Sequence, residues 1–389
     1  MKKVLIFFMT LAVLLPNTCF AMELSATSAV ILEAQTGEIL FEKNADKRMG
    51  MASTTKIMTA LVALEKGKAE DIVKISPHAA TVEGSSMYLK EGEKITLENL
   101  VYGLMLQSGN DAATAIAEHI SGSEKKFAKL MNKKAKEVGI SNTNFTNPHG
   151  LSEDNHYTTA TDLARITAYA LKDKTFSEIV STKSKTIERQ EMGKTTLVNH
   201  NKLLRSEKDC IGVKTGFTKA TGRCLVTAWE KDNMKIICVT LNAGDDWNDH
   251  RKMKNFAYEN YKATLYGRGG TVAKKVRVKE GRNRSVSVLY EDDIYLLEEK
   301  GGEWEITFDI PDSISAPIEK GEVVGRIVAK NQNGKKVFFD AVAEKDVLST
   351  RRNADGKFNE NLIKIYGKWL RILTFSDCKQ NFAKKLTIL

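Results

Sequence analysis

Three short segments carry residue types that could work together as a serine acyl-transfer site: Ser53-Thr54-Thr55-Lys56, Ser108-Gly109-Asn110 and Lys214-Thr215-Gly216. The first holds a serine and a lysine three residues apart. The second adds a hydroxyl and an amide, and the third adds a cation beside a hydroxyl. Ser-x-x-Lys alone is weak evidence, because it recurs at Ser123 and Ser376, whereas Ser-x-Asn and Lys-Thr-Gly each occur once.

A serine hydroxyl is a poor nucleophile without a base nearby. Lys56 qualifies as that base only if its pKa falls from about 10.4 towards neutrality. Burial and a second cation would lower it, and Lys214 is the candidate for that cation. Ser108 can relay a proton to a leaving amine, and Asn110 can bind a substrate amide. Lys214 and Thr215 can hold a carboxylate, with Gly216 and Phe217 continuing the same substrate-binding strand. The Phe217 N–H, together with N–H groups at a helix start, would form an oxyanion hole. Arg251 is a further candidate for a substrate carboxylate. No metal or other cofactor is expected, and the five cysteines have no metal-ligand spacing.

The elements that would position these residues can be read from periodicity. Residues 29–33 and 38–42 alternate as strands around a Gln35-Thr36-Gly37 turn. A helix is expected from Ser53 to near Gly67, which puts Lys56 one turn from Ser53 on the same face. Residues 97–106 and 112–120 read as helices, with Ser108-Gly109-Asn110 in the loop between them. Residues 212–215, 224–230 and 235–242 read as antiparallel strands, and helical spacing returns over 251–266. An N-terminal hairpin, a helical middle and three later strands imply an α+β fold with one five-stranded antiparallel sheet flanked by helices. Residues 267–350 are turn-rich and strand-like, and read as a small all-β sandwich domain without catalytic residues.

The two ends have their own signatures. Lys2-Lys3, an apolar run over 4–15 and Cys19-Phe20-Ala21 read as a secretory signal peptide, cut after Ala21. The mature catalytic domain then spans 22–266. Residues 351–389 form a basic-apolar tail. Within it, Leu362, Ile365, Tyr366, Trp369, Ile372 and Leu373 share one helical face opposite Lys364, Lys368 and Arg371, the pattern of an in-plane membrane helix. The net charge of +10 suits an anionic membrane or wall polymer in an exported protein, and nucleic acid is not an expected partner. Cys224 and Cys238 sit in strand-like runs and read as buried thiols, with a disulfide between them as the alternative.

The segments Ala52-Ser53-Thr54-Thr55-Lys56-Ile57-Met58-Thr59, Ser108-Gly109-Asn110-Asp111-Ala112 and Gly212-Val213-Lys214-Thr215-Gly216-Phe217-Thr218 resemble those of low-molecular-mass penicillin-binding proteins. Within these, the chain is most similar to the D-alanyl-D-alanine carboxypeptidases of peptidase family S11. Asn147-Pro148-His149-Gly150-Leu151 and Asn199-His200-Asn201 also resemble segments of that group. The resemblance implies a β-lactamase-like catalytic fold and removal of the terminal D-alanine from a peptidoglycan stem peptide. It also implies acylation of Ser53 by β-lactams and a place on the outer face of the cytoplasmic membrane. Phe217 stands where some members carry histidine, and His149 reads as a loop-organising residue. A class A β-lactamase would use a Glu-x-x-x-Asn pattern to activate water, and no glutamate between Ser108 and Lys214 has Asn four residues on. A D,D-endopeptidase would use the same three segments, while a non-catalytic wall-binding scaffold would have no need to keep them intact.

Overall fold

The computed structural model describes residues 22–350, apart from 191, 300, 301 and 333. The signal peptide and tail expected at the two ends lie outside the described residues. The chain divides into two compact units near Asn260.

The first unit is built on a five-stranded sheet. The N-terminal hairpin supplies β1 (Ser28–Glu33) and β2 (Ile39–Lys43). The longer helices between this hairpin and the later strands are α1 (Lys56–Lys66), α2 (Leu97–Leu106), α3 (Asn110–Ser121), α4 (Glu124–Glu137), α5 (Ala160–Ala170) and α6 (Lys174–Ser181). Strands β3 (Cys210–Thr218), β4 (Gly222–Lys231) and β5 (Met234–Ala243) follow, and α7 (Asp246–Asn260) closes the unit. The strand order is β2-β1-β5-β4-β3, so the hairpin pairs with the last strand and β3 is left at an edge.

Burial explains which helices lie inside. In α1, every residue from Lys56 to Ala63 is buried. A helix apolar around most of its surface belongs in a core rather than on a surface. α2 is buried from Leu100 through Leu106, and both helices contribute to one large core with Cys224, Val226 and Ala228 of β4 and Ile237, Val239 and Leu241 of β5. The opposite sheet face is covered by α7. There His250 is fully buried between the hydroxyls of Thr227 (2.6 Å) and Thr240 (2.9 Å). Helices therefore cover both faces of the sheet, as expected.

The second unit is all β. Tyr261–Gly267 pairs antiparallel with Ile294–Glu299. A six-stranded sheet runs in the order 305–309, 323–330, 336–343, 285–290, 272–279 and 313–315. Ile294 and Leu296 of the small sheet share a core with Val276, Val288, Ile327 and Ala341 of the large one, so the two sheets pack face to face.

Two expectations are corrected. The helix expected over 251–266 ends at Asn260, and 261–267 is a strand. Its side chains fit either period, and pairing with a strand some thirty residues later decides the outcome. The alternative of a disulfide between Cys224 and Cys238 also fails, since both are free, buried thiols, as is Cys210.

Candidate active site

Ser53 sits in a 3-10 turn, Ala52–Thr55, that leads directly into α1. Lys56 is therefore the first residue of the α-helix, one turn beyond Ser53. Its Nζ lies 3.0 Å from Ser53 Oγ, 2.7 Å from Asn110 Oδ1 and 2.6 Å from the His149 carbonyl oxygen. Two of these partners can only accept. A neutral amine has two N–H bonds to donate and one lone pair. Donation to Asn110 and His149 leaves the lone pair facing the serine hydroxyl, which is the arrangement of a general base. Burial holds the Lys56 pKa well below its ordinary value. The Lys214 cation lowers it further, and Asp111 opposes the shift.

Ser108 lies between α2 and α3 with φ 63, a left-handed conformation that costs a non-glycine residue about 1–2 kcal/mol. Ala52, next to Ser53, has φ 47. Backbone strain of this kind gathers where geometry is dictated by function. The Ser108 hydroxyl accepts from Lys214 Nζ at 3.0 Å, and the same amine donates to the Thr215 carbonyl at 2.8 Å. Lys214 is 1% exposed, and burial pulls its pKa down to about 7. Asn110, expected to bind a substrate amide, is engaged at both ends. Its Oδ1 accepts from Lys56, and its Nδ2 donates to the Glu83 carbonyl at 2.7 Å.

The third segment lies on the edge strand β3. Gly216 presses on the Ser53 turn so closely that a Cβ there would lie 3.1 Å from both Ser53 N and Thr54 N. The strand and the serine turn are thereby held side by side, and Phe217 follows with its side chain 65% exposed. Thr215 precedes Gly216 in the same strand. Arg251 is on α7, where it pairs with Glu207 (2.9 Å) and Asn248 (3.1 Å). Neither partner belongs to the three segments.

Several supporting residues could not be read from spacing. Asp111 is buried and accepts from the backbone N–H groups of Met87 and Leu89 and from the Ser86 hydroxyl, tying segment 86–89 to the start of α3. The 147–151 loop is clamped by its own Asn147, whose Oδ1 accepts from Gly150 N at 2.7 Å, and by Thr59, which donates to the Pro148 carbonyl at 2.6 Å. The loop thus delivers the His149 carbonyl to Lys56. The His149 ring faces Glu124 at 3.5 Å and Leu151 N at 3.2 Å, which fits the loop-organising role expected of it. His156 accepts from Thr146 N at 3.1 Å and lies 2.8 Å from Thr55 Oγ1; burial lowers its pKa to about 4, with His149 and Lys56 adding to the shift. Asn199 and Asn201 bond the backbone around themselves and brace the approach to β3. Among the described residues, no group of three His, Cys, Asp or Glu could hold a metal ion.

Comparison with known proteins agrees with this arrangement. The profile of the D-alanyl-D-alanine carboxypeptidase family matches residues 16–245, and that of the penicillin-binding protein 5 C-terminal domain matches 261–349. The D-alanyl-D-alanine carboxypeptidase DacF of Bacillus subtilis is 37% identical over 358 residues, covering 89% of this chain and 90% of its own length. Among solved structures, penicillin-binding protein 5 of Haemophilus influenzae superposes with a TM-score of 0.67 at 30% identity, covering 84% of this chain and 98% of that one. A point mutant of the Streptomyces K15 DD-transpeptidase gives 0.59 at 32% identity, covering 61% of this chain and 99% of its own. The chain therefore belongs to the D-alanyl-D-alanine carboxypeptidase family of serine peptidases.

Proposed function

We propose that Ser53 is the nucleophile, Lys56 its general base and Ser108 the proton relay in hydrolysis of a peptidoglycan stem peptide ending in D-Ala-D-Ala. The observation that carries this reading is the Lys56 amine, fully buried, 3.0 Å from Ser53 Oγ and with its pKa held well below the ordinary lysine value by burial and by Lys214.

In acylation, Lys56 takes the hydroxyl proton while Oγ attacks the carbonyl carbon of the penultimate D-alanine. The oxyanion is received by the N–H groups of Ser53 and Phe217. Ser108, bonded to Lys214, relays the proton held by Lys56 to the departing amine, giving up its own proton and taking one from Lys56; the scissile C–N bond breaks to release D-alanine and Lys56 is neutral again. Water then attacks the acyl-enzyme with Lys56 again as base. Asn110 orients Lys56 through Oδ1, and the second N–H of its Nδ2 can donate to a substrate amide. Thr215 and Lys214 line the carboxylate end of the substrate. A β-lactam enters the same path but leaves no departing fragment, so it remains attached to Ser53.

The test is incubation with a pentapeptide ending in D-Ala-D-Ala, alongside labelling by a fluorescent penicillin. Free D-alanine and a covalent adduct are expected, and both should vanish in Ser53→Ala. A labelled Ser53→Ala protein would overturn the assignment. Addition of an acceptor amine separates hydrolysis from strand transfer, since transfer would appear as a cross-linked product.

We also propose export and attachment to the outer face of the cytoplasmic membrane. The support is in the amino-acid pattern, namely the basic-then-apolar start and the Asn361–Phe375 segment. No helix among the described residues is long and apolar enough to cross a membrane. Truncation after Thr350 should release the protein from membrane fractions with penicillin binding intact, and retained sedimentation with membranes would refute the anchor.

A further inference from the structure

Lys56 is aimed at Ser53 by two acceptors, Asn110 Oδ1 and the His149 carbonyl oxygen. One carboxylate outside the three segments addresses the residues on both sides. Glu124 is the first residue of α4, where the helix N-terminus favours negative charge. Its Oε1 accepts from the hydroxyl of Thr114, which is fully buried on α3 one turn beyond Asn110 and on the same face. The same oxygen lies 3.5 Å from Nε2 of His149.

The His149 ring is held at both nitrogens. Leu151 N donates to Nδ1 at 3.2 Å, so Nδ1 is the acceptor and the ring proton sits on Nε2, facing Glu124. The His149 side chain is 6% exposed, so an Nε2–H that lost the carboxylate would have little water to turn to. Burial works to raise the Glu124 pKa, yet the bonds from His149 and Thr114 outweigh it and hold the carboxyl below its ordinary value. The rest of the loop has clamps of its own, Asn147 on Gly150 N and Thr59 on the Pro148 carbonyl. What the ring adds is the setting of the peptide that carries the His149 carbonyl. The other Glu124 oxygen, Oε2, lies 4.0 Å from Nε2 of His78, whose side chain is 63% exposed.

We propose that Glu124 is a positioning residue for the reaction: its Oε1, by accepting from Thr114 and His149 together, sets the two acceptors that aim Lys56 at Ser53. This rests on the reading of Lys56 as general base given above. Glu124 acts through Thr114 and His149, with no bond made or broken at its own carboxylate.

The full-length protein is compared with Glu124→Ala, Glu124→Gln and His78→Ala by stopped-flow acylation with a fluorescent penicillin. Saturation kinetics separate the non-covalent dissociation constant from the acylation rate constant, and the end point gives the fraction of chains labelled. A small misplacement of a reacting group costs up to about 100-fold in rate. In Glu124→Ala the acylation rate constant should therefore fall by about 10–100-fold. Its dissociation constant and complete labelling should be retained, because Lys214, Thr215 and β3 are untouched. Glu124→Gln keeps a carbonyl oxygen in the place of Oε1 and should recover most of the loss. His78→Ala, which meets Oε2, should acylate as wild type does. An unchanged rate constant in Glu124→Ala overturns the proposal, as does an equal loss in Glu124→Gln or in His78→Ala. Incomplete labelling of Glu124→Ala at an unchanged rate would mean that Glu124 only supports folding, which overturns it too. Acylation of Lys56→Ala at the wild-type rate would instead strike at the base assignment.

Discussion

Two lysines with opposite duties share this site, and their spacing determines how it responds to pH. As the proposed base, Lys56 must be neutral to accept the serine proton; burial lowers its pKa and the Lys214 charge lowers it further. The acid limb of penicillin acylation should therefore follow protonation of Lys56, with the rate falling as pH drops through its lowered pKa. Removing the Lys214 charge, as in Lys214→Gln, takes away a lowering influence, so the Lys56 pKa rises and the acid limb should move to higher pH. A pH profile of acylation measures this directly; an unmoved limb would show that burial alone tunes Lys56. Stability carries the same signature. Unfolded Lys214 holds its proton to about 10.4, whereas the folded residue releases it near pH 7. Between those values the unfolded chain binds more protons, so stability rises with pH across that window and is lost as pH falls towards 7. Replacing Lys214 by Met should flatten the rise, as read from melting temperatures at pH 7 and 9.

Among the elements, the 147–151 loop has little room for change. Gly150 has φ 88, and a Cβ there would come within 2.0 Å of the Ala52 carbonyl oxygen, a backbone atom that cannot swing away. Gly150→Ala should destabilise the fold by about 1–3 kcal/mol through left-handed strain and collision. It should also slow penicillin acylation, because the loop delivers the His149 carbonyl that orients Lys56. Comparing acylation well below the melting temperature separates the two effects. The strands make a different point. Alternation identified β1 to β5 because each has one or both faces buried in a core. The strand 261–267 escaped notice because most of its residues are only partly buried, with a pattern that fits no single period.

Over the whole molecule, the two units have separate cores, and a solved relative consisting of little more than the first one superposes on 61% of this chain. A fragment of residues 22–260 should therefore fold and bind penicillin at Ser53; a fragment that folds without labelling would show that the catalytic unit needs its neighbour. The thiols give a second test at this scale. Burial raises the pKa of Cys210 and Cys224 to about 11 and that of Cys238 further still. Native protein should leave these three unmodified by iodoacetamide, denatured protein should expose all three, and reductant should leave the melting temperature unchanged.

By itself, the amino-acid sequence determined the reaction class and the order of the main elements, and put forward Ser53 as the nucleophile, because these depend on local features. Ser53 and Lys56 are one turn apart on one helix, and strand and helix periods are written into consecutive side chains. Other contributions depended on residues distant in the chain meeting in space. The His149 carbonyl reaches Lys56 across 93 positions, and Lys214 reaches Ser108 across 106. Asn110 was brought against Lys56, Arg251 was paired with Glu207, and Arg223 was placed opposite Phe217. No motif records such pairings, since each is set by strand register and by which faces must be buried together.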